Sequence, residues 1–236
     1  MKNKWALITG GTKGIGWSIA KKFASQGINL ILTSRSIDDL NERRTEIIES
    51  HNGVECAIFR SDLSNRHEVR NLAEFAKGDT DVLDILVNNA GIFMPGSVLN
   101  EEEGALESQV ETNLYSAYYL TRDVMPLINN SKRGYIINMC SIASFMAYAG
   151  SGSYTISKFA LRGWSKTLRE ELKDTHIAVT SIMPGATWSA SWEGADYPRE
   201  RLIEPENVAE MIWSIINLAP NAVVEELVIR PQKGDL

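Results

Sequence analysis

The feature that most constrains this chain is a regular alternation of short apolar runs with longer amphipathic stretches. Apolar residues recur at helical spacing between several runs, as in Ile15, Ile19 and Phe23. Strands that are almost wholly apolar are buried on both faces of a sheet. The pattern therefore predicts an α/β fold in which a doubly wound, parallel, seven-stranded sheet carries helices on both faces. The predicted strands are Trp5–Ile8, Asn29–Ser34, Val54–Phe59, Leu83–Asn88, Tyr135–Cys140, Ile177–Met183 and Glu225–Arg230.

The length and composition favour one domain. The chain has 236 residues, 44% apolar and 23% charged, and no Pro/Gly/Ser-rich linker divides it. We predict a single domain over residues 1–236. The segment at about 187–204 interrupts the βα rhythm and contains Trp188, Trp192 and Tyr197, so we expect it to form a short substrate lid.

Charge and cysteine usage exclude several classes of function. The net charge of −6 is spread along the chain, which gives no basic surface for nucleic acid or an anionic membrane. Cys56 and Cys140 stand in apolar runs and the three histidines are scattered, so we expect neither a disulfide nor a metal site. The apolar stretch before Thr9 is too short for a secretory signal, and we expect a cytoplasmic protein.

A glycine-rich turn directly follows the first predicted strand and leads into a helix: Thr9-Gly10-Gly11-Thr12-Lys13-Gly14-Ile15-Gly16. Such a turn brings backbone N–H groups at a helix N-terminus against a pyrophosphate. The spacing differs from the commoner G-x-G-x-x-G, and a βα turn without a ligand is the alternative. The position in the first βα unit favours a dinucleotide, with these binding residues: Gly10, Thr12, Gly14, Ile15 and Gly16.

The end of the second predicted strand bears on the choice of cofactor. An acidic residue about 20 positions after the glycine turn would bind the ribose 2′-hydroxyl of NAD. Ser34 and Arg35 stand there instead, and Lys13 supplies a second cation. A guanidinium matches the geometry of a phosphate, so the sequence predicts NADP(H), with Arg35 the stronger candidate and Lys13 the weaker. The alternative is that both are solvated surface cations.

A tyrosine and a lysine four residues apart, Tyr154 and Lys158, open a predicted helix. This spacing places both side chains on one helix face. At ~5 Å and an effective dielectric of ~20, the ammonium would lower the pKa of the phenol by roughly 2.4 units, toward the range of an acid–base catalyst. Ser141, at the end of the fifth predicted strand, could hold a substrate carbonyl at the edge where such sheets bind ligands.

Taken together, these motifs resemble the short-chain dehydrogenase/reductase family over essentially the whole chain. The resemblance adds an asparagine of the fourth helix, Asn113, which opens that helix and holds a proton-relay water. Other residues that it implies contact the cofactor are Asp62 and Leu63, Asn89, Ala90 and Gly91 of the run Asn88-Asn89-Ala90-Gly91, and Pro184, Gly185, Thr187 and Ser189 after the sixth strand. A threonine usually stands where this chain has Ser189, so either Thr187 or Ser189 could supply the hydroxyl.

The resemblance implies a Rossmann fold and a definite chemistry. Hydride would pass from NADPH to a ketone or aldehyde, Tyr154 would donate the proton, Ser141 would orient the oxygen, and Lys158 would also bind the nicotinamide ribose. Asn113 would support the relay water. The family admits alcohols, sugars, steroids, pterins and 3-oxoacyl chains, and its members are usually homodimers or homotetramers built on the fourth and fifth helices. Phe93 and its apolar neighbours favour an apolar pocket.

Other functions remain open at this point. An NAD(H)-using dehydrogenase or an epimerase could stand on the same scaffold. A non-catalytic dinucleotide-sensing protein is a further alternative, although it gives no reason for Ser141, Tyr154, Lys158 and Asn113 to occur together. A serine hydrolase is set aside, because the chain has no G-x-S-x-G motif.

Overall fold

The computed structural model describes residues 4–189 and 198–234, and it is built around a parallel seven-stranded sheet of order β3-β2-β1-β4-β5-β6-β7. The strands are β1 Trp5–Thr9, β2 Asn29–Ser34, β3 Cys56–Arg60, β4 Ile85–Asn88, β5 Gly134–Met139, β6 Ile177–Pro184 and β7 Glu226–Ile229. This confirms the predicted Rossmann-type fold. Strand boundaries shift by one or two residues; the third strand, for example, begins at Cys56 rather than Val54.

Seven α-helices connect the strands within the described residues. They are α1 Gly14–Ser25, α2 Ile37–Ser50, α3 Arg66–Asp79, α4 Ala105–Val110, α5 Ser116–Asn129, α6 Gly152–Leu172 and α7 Pro205–Ile216. A π-helical turn, Glu111–Tyr115, joins α4 to α5. Across both described ranges, the structure has no helix that is long and apolar enough to span a membrane.

The two faces of the sheet bury separate apolar cores. On one face, α1, α2 and α7 pack their apolar residues, such as Phe23, Leu40 and Ile212, against the sheet. On the other face, α3 and α5 contribute Leu72 and Val124 among others. In helix α2 only Leu40 and Ile47 are buried, because most of its other residues are charged or polar. The strands are almost wholly apolar because helices cover the sheet on both faces.

The sheet order reverses direction between β1 and β4, and this reversal positions the site. From β1 the chain winds outward to β2 and β3, then returns to place β4 on the other side of β1. The connections leave β1 and β4 toward opposite faces, so a crevice opens beyond their carboxyl ends. The glycine turn, Arg35, Asn89 and Ser141 each follow the carboxyl end of a strand and so lie along this edge.

A chain of buried polar side chains ties the sheet to helix α6. The Asn88 amide donates to Asn138 Oδ1 at 2.9 Å, and the Asn138 amide donates to Ser165 Oγ at 2.9 Å. Ser181 Oγ lies 2.8 Å from the same Ser165 hydroxyl. Buried polar groups stabilise a fold only when they are hydrogen-bonded, so each member of this chain depends on the next.

We expect Asn138→Ala to lower the free energy of unfolding by about 2 to 4 kcal/mol, because it removes two buried hydrogen bonds, one to Asn88 and one to Ser165, and leaves a cavity in the interior. Urea denaturation followed by circular dichroism measures the change. Asn52→Ala, at an exposed position, is the matched control and should stay within about 0.5 kcal/mol of the unsubstituted protein. A loss at Asn138 no larger than the control would contradict the role of the chain.

Candidate active site

Two adjoining cavities lie along the carboxyl edge of the sheet, with volumes of about 620 and 450 Å³, and share Gly91 and Ile92. The larger cavity is lined by these predicted residues: Gly10, Thr12, Lys13, Ser34, Arg35, Asp62, Leu63, Ala90 and Gly91. The smaller is lined by Ile15, Asn89, Gly91, Ser141, Tyr154, Lys158, Pro184, Gly185, Thr187 and Ser189. Of the predicted residues, Gly14, Gly16 and Asn113 do not line either cavity.

The glycine turn needs glycine for reasons that the structure makes explicit. Gly10 and Gly14 have φ angles of +62° and +52°, which side-chain-bearing residues rarely adopt. At Gly16 an added Cβ would lie 2.5 Å from Asn89 Nδ2 and 3.0 Å from the carbonyl carbon of Gly10. Helix α1 therefore packs too closely against the loop after β4 for any side chain at Gly16.

Thr9 and Asn89 lock the glycine turn to the loop after β4. Thr9 Oγ1 accepts the backbone N–H groups of Asn89 and Ala90, both at 2.9 Å. In return the Asn89 amide donates to the carbonyls of Thr9 at 2.8 Å and Gly10 at 3.1 Å. Four hydrogen bonds thus hold together the two loops that border the crevice.

At the end of β2, Arg35 is an exposed cation that lines the larger cavity. Within the described residues its guanidinium forms no ion pair, whereas Lys13 Nζ lies 2.8 Å from Asp39 Oδ2. The Ser34 hydroxyl donates to the backbone carbonyl of Ser36 at 3.1 Å. Both predicted cations therefore border one cavity, but the charge of Lys13 is already paired.

Sequence reasoning missed two residues beside this turn. Asp39, in the first turn of α2, forms an ion pair with Lys13, and Arg43 donates from Nε to the Thr12 carbonyl at 3.2 Å. The Arg43 guanidinium also lies 4.9 Å from the centre of the Trp17 ring. The one sequence signal that could have identified Asp39 and Arg43 is their spacing of four residues in the helix that follows Arg35.

Asp62 carries a stabilised negative charge at the same end of the crevice. Burial raises the pKa of its carboxyl, but hydrogen bonds from Ser64 and the positive charges of Arg35 and Arg60 outweigh burial and hold the pKa below its usual value. Next to it, Ser61 buries a hydroxyl that has no hydrogen-bond partner among the described residues and borders the larger cavity.

Ser141 and Tyr154 meet at the opposite end, in the smaller cavity. Ser141 stands two residues beyond β5 and accepts the Ala143 N–H at 3.1 Å, which fixes its hydroxyl. Burial raises the pKa of the Tyr154 phenol above its ordinary value, and a hydrogen bond from Ser141 offsets this only in part. The lowering expected from Lys158 is therefore wrong for this structure, because loss of solvent around the phenol dominates.

Lys158 is buried with only 5% of its surface exposed. Its Nζ donates to the Met139 carbonyl at 2.9 Å and lies 5.7 Å from the centre of the Tyr154 ring. Burial lowers the pKa of the Lys158 ammonium to about 8. The i, i+4 pair does share a helix face, as predicted, but desolvation affects both groups more strongly than their mutual attraction does.

Asn113 occupies the π-helical turn, which agrees with the local opening implied by the family resemblance. Its Oδ1 accepts the Ile92 N–H at 2.7 Å, while its amide donates to the Ile92 carbonyl at 3.0 Å and to Ser157 Oγ at 2.9 Å. A Cβ added to Gly91 would lie 3.0 Å from Asn113 Oδ1 and 3.4 Å from Lys158 Nζ. The Asn113 side chain is buried, with only 1% of its surface exposed.

The segment after β6 borders the smaller cavity through Thr187 and Ser189. The Thr187 hydroxyl donates to the Gly185 carbonyl at 2.9 Å. The two described ends of the predicted lid are joined by the Trp188 N–H, which donates to the Ile203 carbonyl at 2.8 Å. Two aromatic residues of that lid, Trp192 and Tyr197, lie outside the described residues.

Comparison with known proteins agrees with this geometry. Residues 4–197 match the family model described as short chain dehydrogenase. An uncharacterized oxidoreductase of Staphylococcus saprophyticus is 31% identical, over 98% of each chain, and a sepiapterin reductase of Chlorobaculum tepidum is 30% identical over 98% of this chain and 97% of its own. The chain belongs to the short chain dehydrogenase family, and it is an oxidoreductase of that family.

A solved structure extends the comparison to three dimensions. The alcohol dehydrogenase of the archaeon Thermococcus sibiricus, complexed with 5-hydroxy-NADP, superposes with a TM-score of 0.90 at 25% identity, over 99% of this chain and 98% of its own. The whole arrangement of sheet and helices is therefore shared with an enzyme that carries an NADP derivative.

The lowered pKa of Lys158 predicts a pH-dependent stability. Below pH about 8 the folded protein buries a charged ammonium; as the pH rises toward 10.5 the folded state has lost this proton while the unfolded state keeps it. Relative to Lys158→Met, the free energy of unfolding should therefore increase with pH across this window, by up to about 3 kcal/mol. Denaturant titrations at several pH values measure it.

Lys132→Met, the same change at an exposed lysine, controls for the loss of one positive charge. A difference between the unsubstituted protein and Lys158→Met that stays constant from neutral to alkaline pH would contradict the burial of a titrating ammonium.

Proposed function

We propose that this protein is an NADPH-dependent reductase of a ketone or aldehyde, also able to oxidise the corresponding alcohol. The observation that carries the proposal is the meeting of Ser141, Tyr154 and buried Lys158 at one end of a continuous crevice. At the other end of that crevice are the glycine turn and the exposed cation Arg35.

The residues of the crevice fit a phosphorylated dinucleotide. The first turn of α1 has no side-chain cap, and its N–H groups are positioned to bind a pyrophosphate. The absence of room for a Cβ at Gly16 shows how closely the backbone is packed there. The unpaired Ser61 hydroxyl and Arg35 border the adenosine end, where a 2′-phosphate would lie, and the structural relative that carries an NADP derivative supports the same cofactor.

The proposed chemistry divides between cofactor and protein. When bound, NADPH would supply the hydride that adds to the carbonyl carbon. Tyr154 donates its phenolic proton to the carbonyl oxygen, and the Ser141 hydroxyl holds that oxygen in place. Because its pKa is raised, the phenol remains protonated at neutral pH and is ready to act as the acid in reduction.

Lys158 and Asn113 support the proton donor. Lys158 is anchored by the Met139 carbonyl and places a titratable ammonium beside Tyr154, where it favours the phenolate that forms after proton transfer. Asn113 joins the Ile92 backbone to Ser157, the residue before Lys158. We propose that this bridge holds the Ile92 backbone and Ser157 at a fixed separation. It would also support the water through which a proton from solvent returns to Tyr154.

The wall beside Tyr154 favours an uncharged substrate. The Phe93 ring stands edge-on to the Tyr154 ring with centroids 5.0 Å apart, and Phe93 is 57% exposed. Among the described residues that line the smaller cavity, Lys158 is the one cation, and its ammonium is hydrogen-bonded to the Met139 carbonyl.

We propose that residues 187–204 close over such a substrate as a lid of the single domain.

We also propose a homodimer or homotetramer. Apolar side chains that are 41% to 48% exposed lie on the helices corresponding to the fourth and fifth of the family, where its members associate. They are Leu106, Tyr115, Ile156 and Phe159. Burying them against a second copy would be favourable at roughly 25 cal/mol per Å² of apolar surface.

Tyr154→Phe should lower kcat by about a thousandfold or more, because the variant loses the proton donor, while NADPH still binds. Turnover is followed at the nicotinamide absorbance band with a panel of carbonyls that includes sepiapterin, aliphatic ketones, aldehydes and 3-oxoacyl thioesters. NADPH binding is measured separately by fluorescence. Tyr118→Phe, at a tyrosine whose hydroxyl accepts a hydrogen bond from Arg122 at the surface, is the matched control.

Retention of most of the activity by Tyr154→Phe would refute the assignment of the proton donor. If the unsubstituted protein binds NADPH but turns over none of the carbonyls, the dinucleotide-sensing alternative is favoured instead.

Arg35→Ala should raise the KM for NADPH about tenfold and leave that for NADH nearly unchanged, because only NADPH carries the phosphate that a guanidinium would bind. Arg44→Ala, at an exposed arginine of α2 that lines neither cavity, is the control for loss of one positive charge. A KM for NADH below that for NADPH in the unsubstituted protein would contradict the proposed preference.

A further inference from the structure

The loop after β4, which contacts the glycine turn through Asn89, also contacts the start of helix α6 through Gly96. The Gly96 N–H donates to the Gly150 carbonyl at 3.0 Å, and the Gly152 N–H donates to the Gly96 carbonyl at 3.1 Å. These two bonds form an isolated parallel bridge between Gly96 and Ser151. They bring residues 96–104 against the first turn of the helix that carries Tyr154 and Lys158.

The carboxylate of Glu101 caps this helix. Its Oε1 accepts the Ser153 N–H at 2.8 Å, and Oε2 accepts the hydroxyl of Ser153. The residue at the usual capping position, Ser151, does not cap, because its hydroxyl donates to the Tyr148 carbonyl and meets Thr155 Oγ1. A carboxylate is the favoured partner of free N–H groups at a helix N-terminus.

Two glycines make room for this carboxylate. A Cβ added to Gly96 would lie 2.6 Å from Glu101 Cγ, and one added to Gly152 would lie 2.9 Å from Glu101 Cδ. Neither glycine has a positive φ angle, so their backbone conformations do not require glycine. The absence of both side chains is instead explained by the space that Glu101 occupies.

We propose that Glu101 is a positioning residue for the proton donor: by fixing the Ser153 backbone and hydroxyl, it holds the following residue, Tyr154, against Ser141. This inference rests on the proposed function, since it assigns Tyr154 the role of the acid. Glu101 itself lines neither cavity of the crevice and acts only through the helix that it caps.

A positioning role of Glu101 and a purely electrostatic role predict opposite shifts in the pKa of Tyr154 when Glu101 is removed. If Glu101 acted only through its negative charge, its removal would lower the pKa of Tyr154. If it holds Tyr154 against Ser141, its removal weakens a hydrogen bond that lowers the pKa of the phenol, and the pKa rises further. The direction of the shift therefore separates positioning from a through-space effect.

Three variants test the proposal. Glu101→Gln keeps the shape but removes the charge, Glu101→Ala removes the cap, and Gly152→Ala keeps Glu101 but displaces its carboxylate by steric overlap. Glu102→Gln, at an exposed neighbour, controls for charge. Gly78→Ala, in helix α3 with open space around its Cβ position, controls for a glycine-to-alanine change in a helix.

We expect kcat to fall about ten- to hundredfold in Glu101→Ala and Gly152→Ala, and less in Glu101→Gln, because small displacements of a reacting group have effects of this size. The KM for NADPH should stay within about twofold in all three, as expected for a change confined to the reacting geometry. Both controls should match the unsubstituted protein.

A second measurement does not depend on turnover. Tyrosinate absorbance is titrated in the alkaline range for each variant and for the same variant carrying Tyr154→Phe, so that the difference reports Tyr154 alone. The proposal expects this difference to move to higher pH in Gly152→Ala, which keeps the charge of Glu101 but displaces its carboxylate. Hydrogen exchange of the peptide spanning the start of α6 should become faster in the same variant.

In Gly152→Ala, an unchanged kcat, a parallel rise in the KM for NADPH, or a shift of the Tyr154 titration to lower pH would each overturn the positioning role. If Glu101→Ala does not fold, Glu101→Gln and Gly152→Ala still decide. If the unsubstituted protein reduces none of the carbonyls, the proposed function fails, whereas the titration still reports whether Glu101 holds the phenol.

Discussion

The hydrogen bonds between Thr9 and Asn89 are the interaction on which the rest of the site depends. Where the order of the sheet reverses between β1 and β4, the two strands lead into loops that separate and would leave backbone groups without partners. Thr9 Oγ1 and the Asn89 amide satisfy these groups across the gap. The crevice therefore stays open beyond the strands while its two walls are held at a fixed separation.

Burial sets the electrostatics at the chemical end of this crevice. Desolvation raises the pKa of Tyr154 and lowers that of Lys158, so both groups favour their neutral forms more than they would in water. The phenol is held by Ser141 and the ammonium by the Met139 carbonyl. The contact from Glu101 at the start of the same helix gives this pair a support that comes from a distant part of the chain.

Much of the site could be predicted because most of its motifs follow a strand whose apolar run is easy to recognise, or open a helix with an i, i+4 pair. Arg35, Ser141 and Tyr154 all lie where their strand or helix places them, at the carboxyl edge of a parallel sheet. The pairing of Lys13 with Asp39 could not be predicted, because it depends on the angle at which α2 leaves the sheet. The shifts in pKa could not be predicted either, since they depend on how completely solvent is excluded.

The sequence alone determined the fold class and the edge of the sheet at which the candidate site lies, because apolar periodicity and strand-end motifs are local properties of the chain. Only the tertiary structure decided which charged side chains form ion pairs, which ionisable groups are buried and which side chains are fixed by hydrogen bonds. Asn113 is bridged to Ile92 and Ser157, and Glu101 reaches Ser153 across 52 positions. These contacts join residues far apart in the chain, so no local pattern records them, and they arise only when the packed sheet brings the segments together.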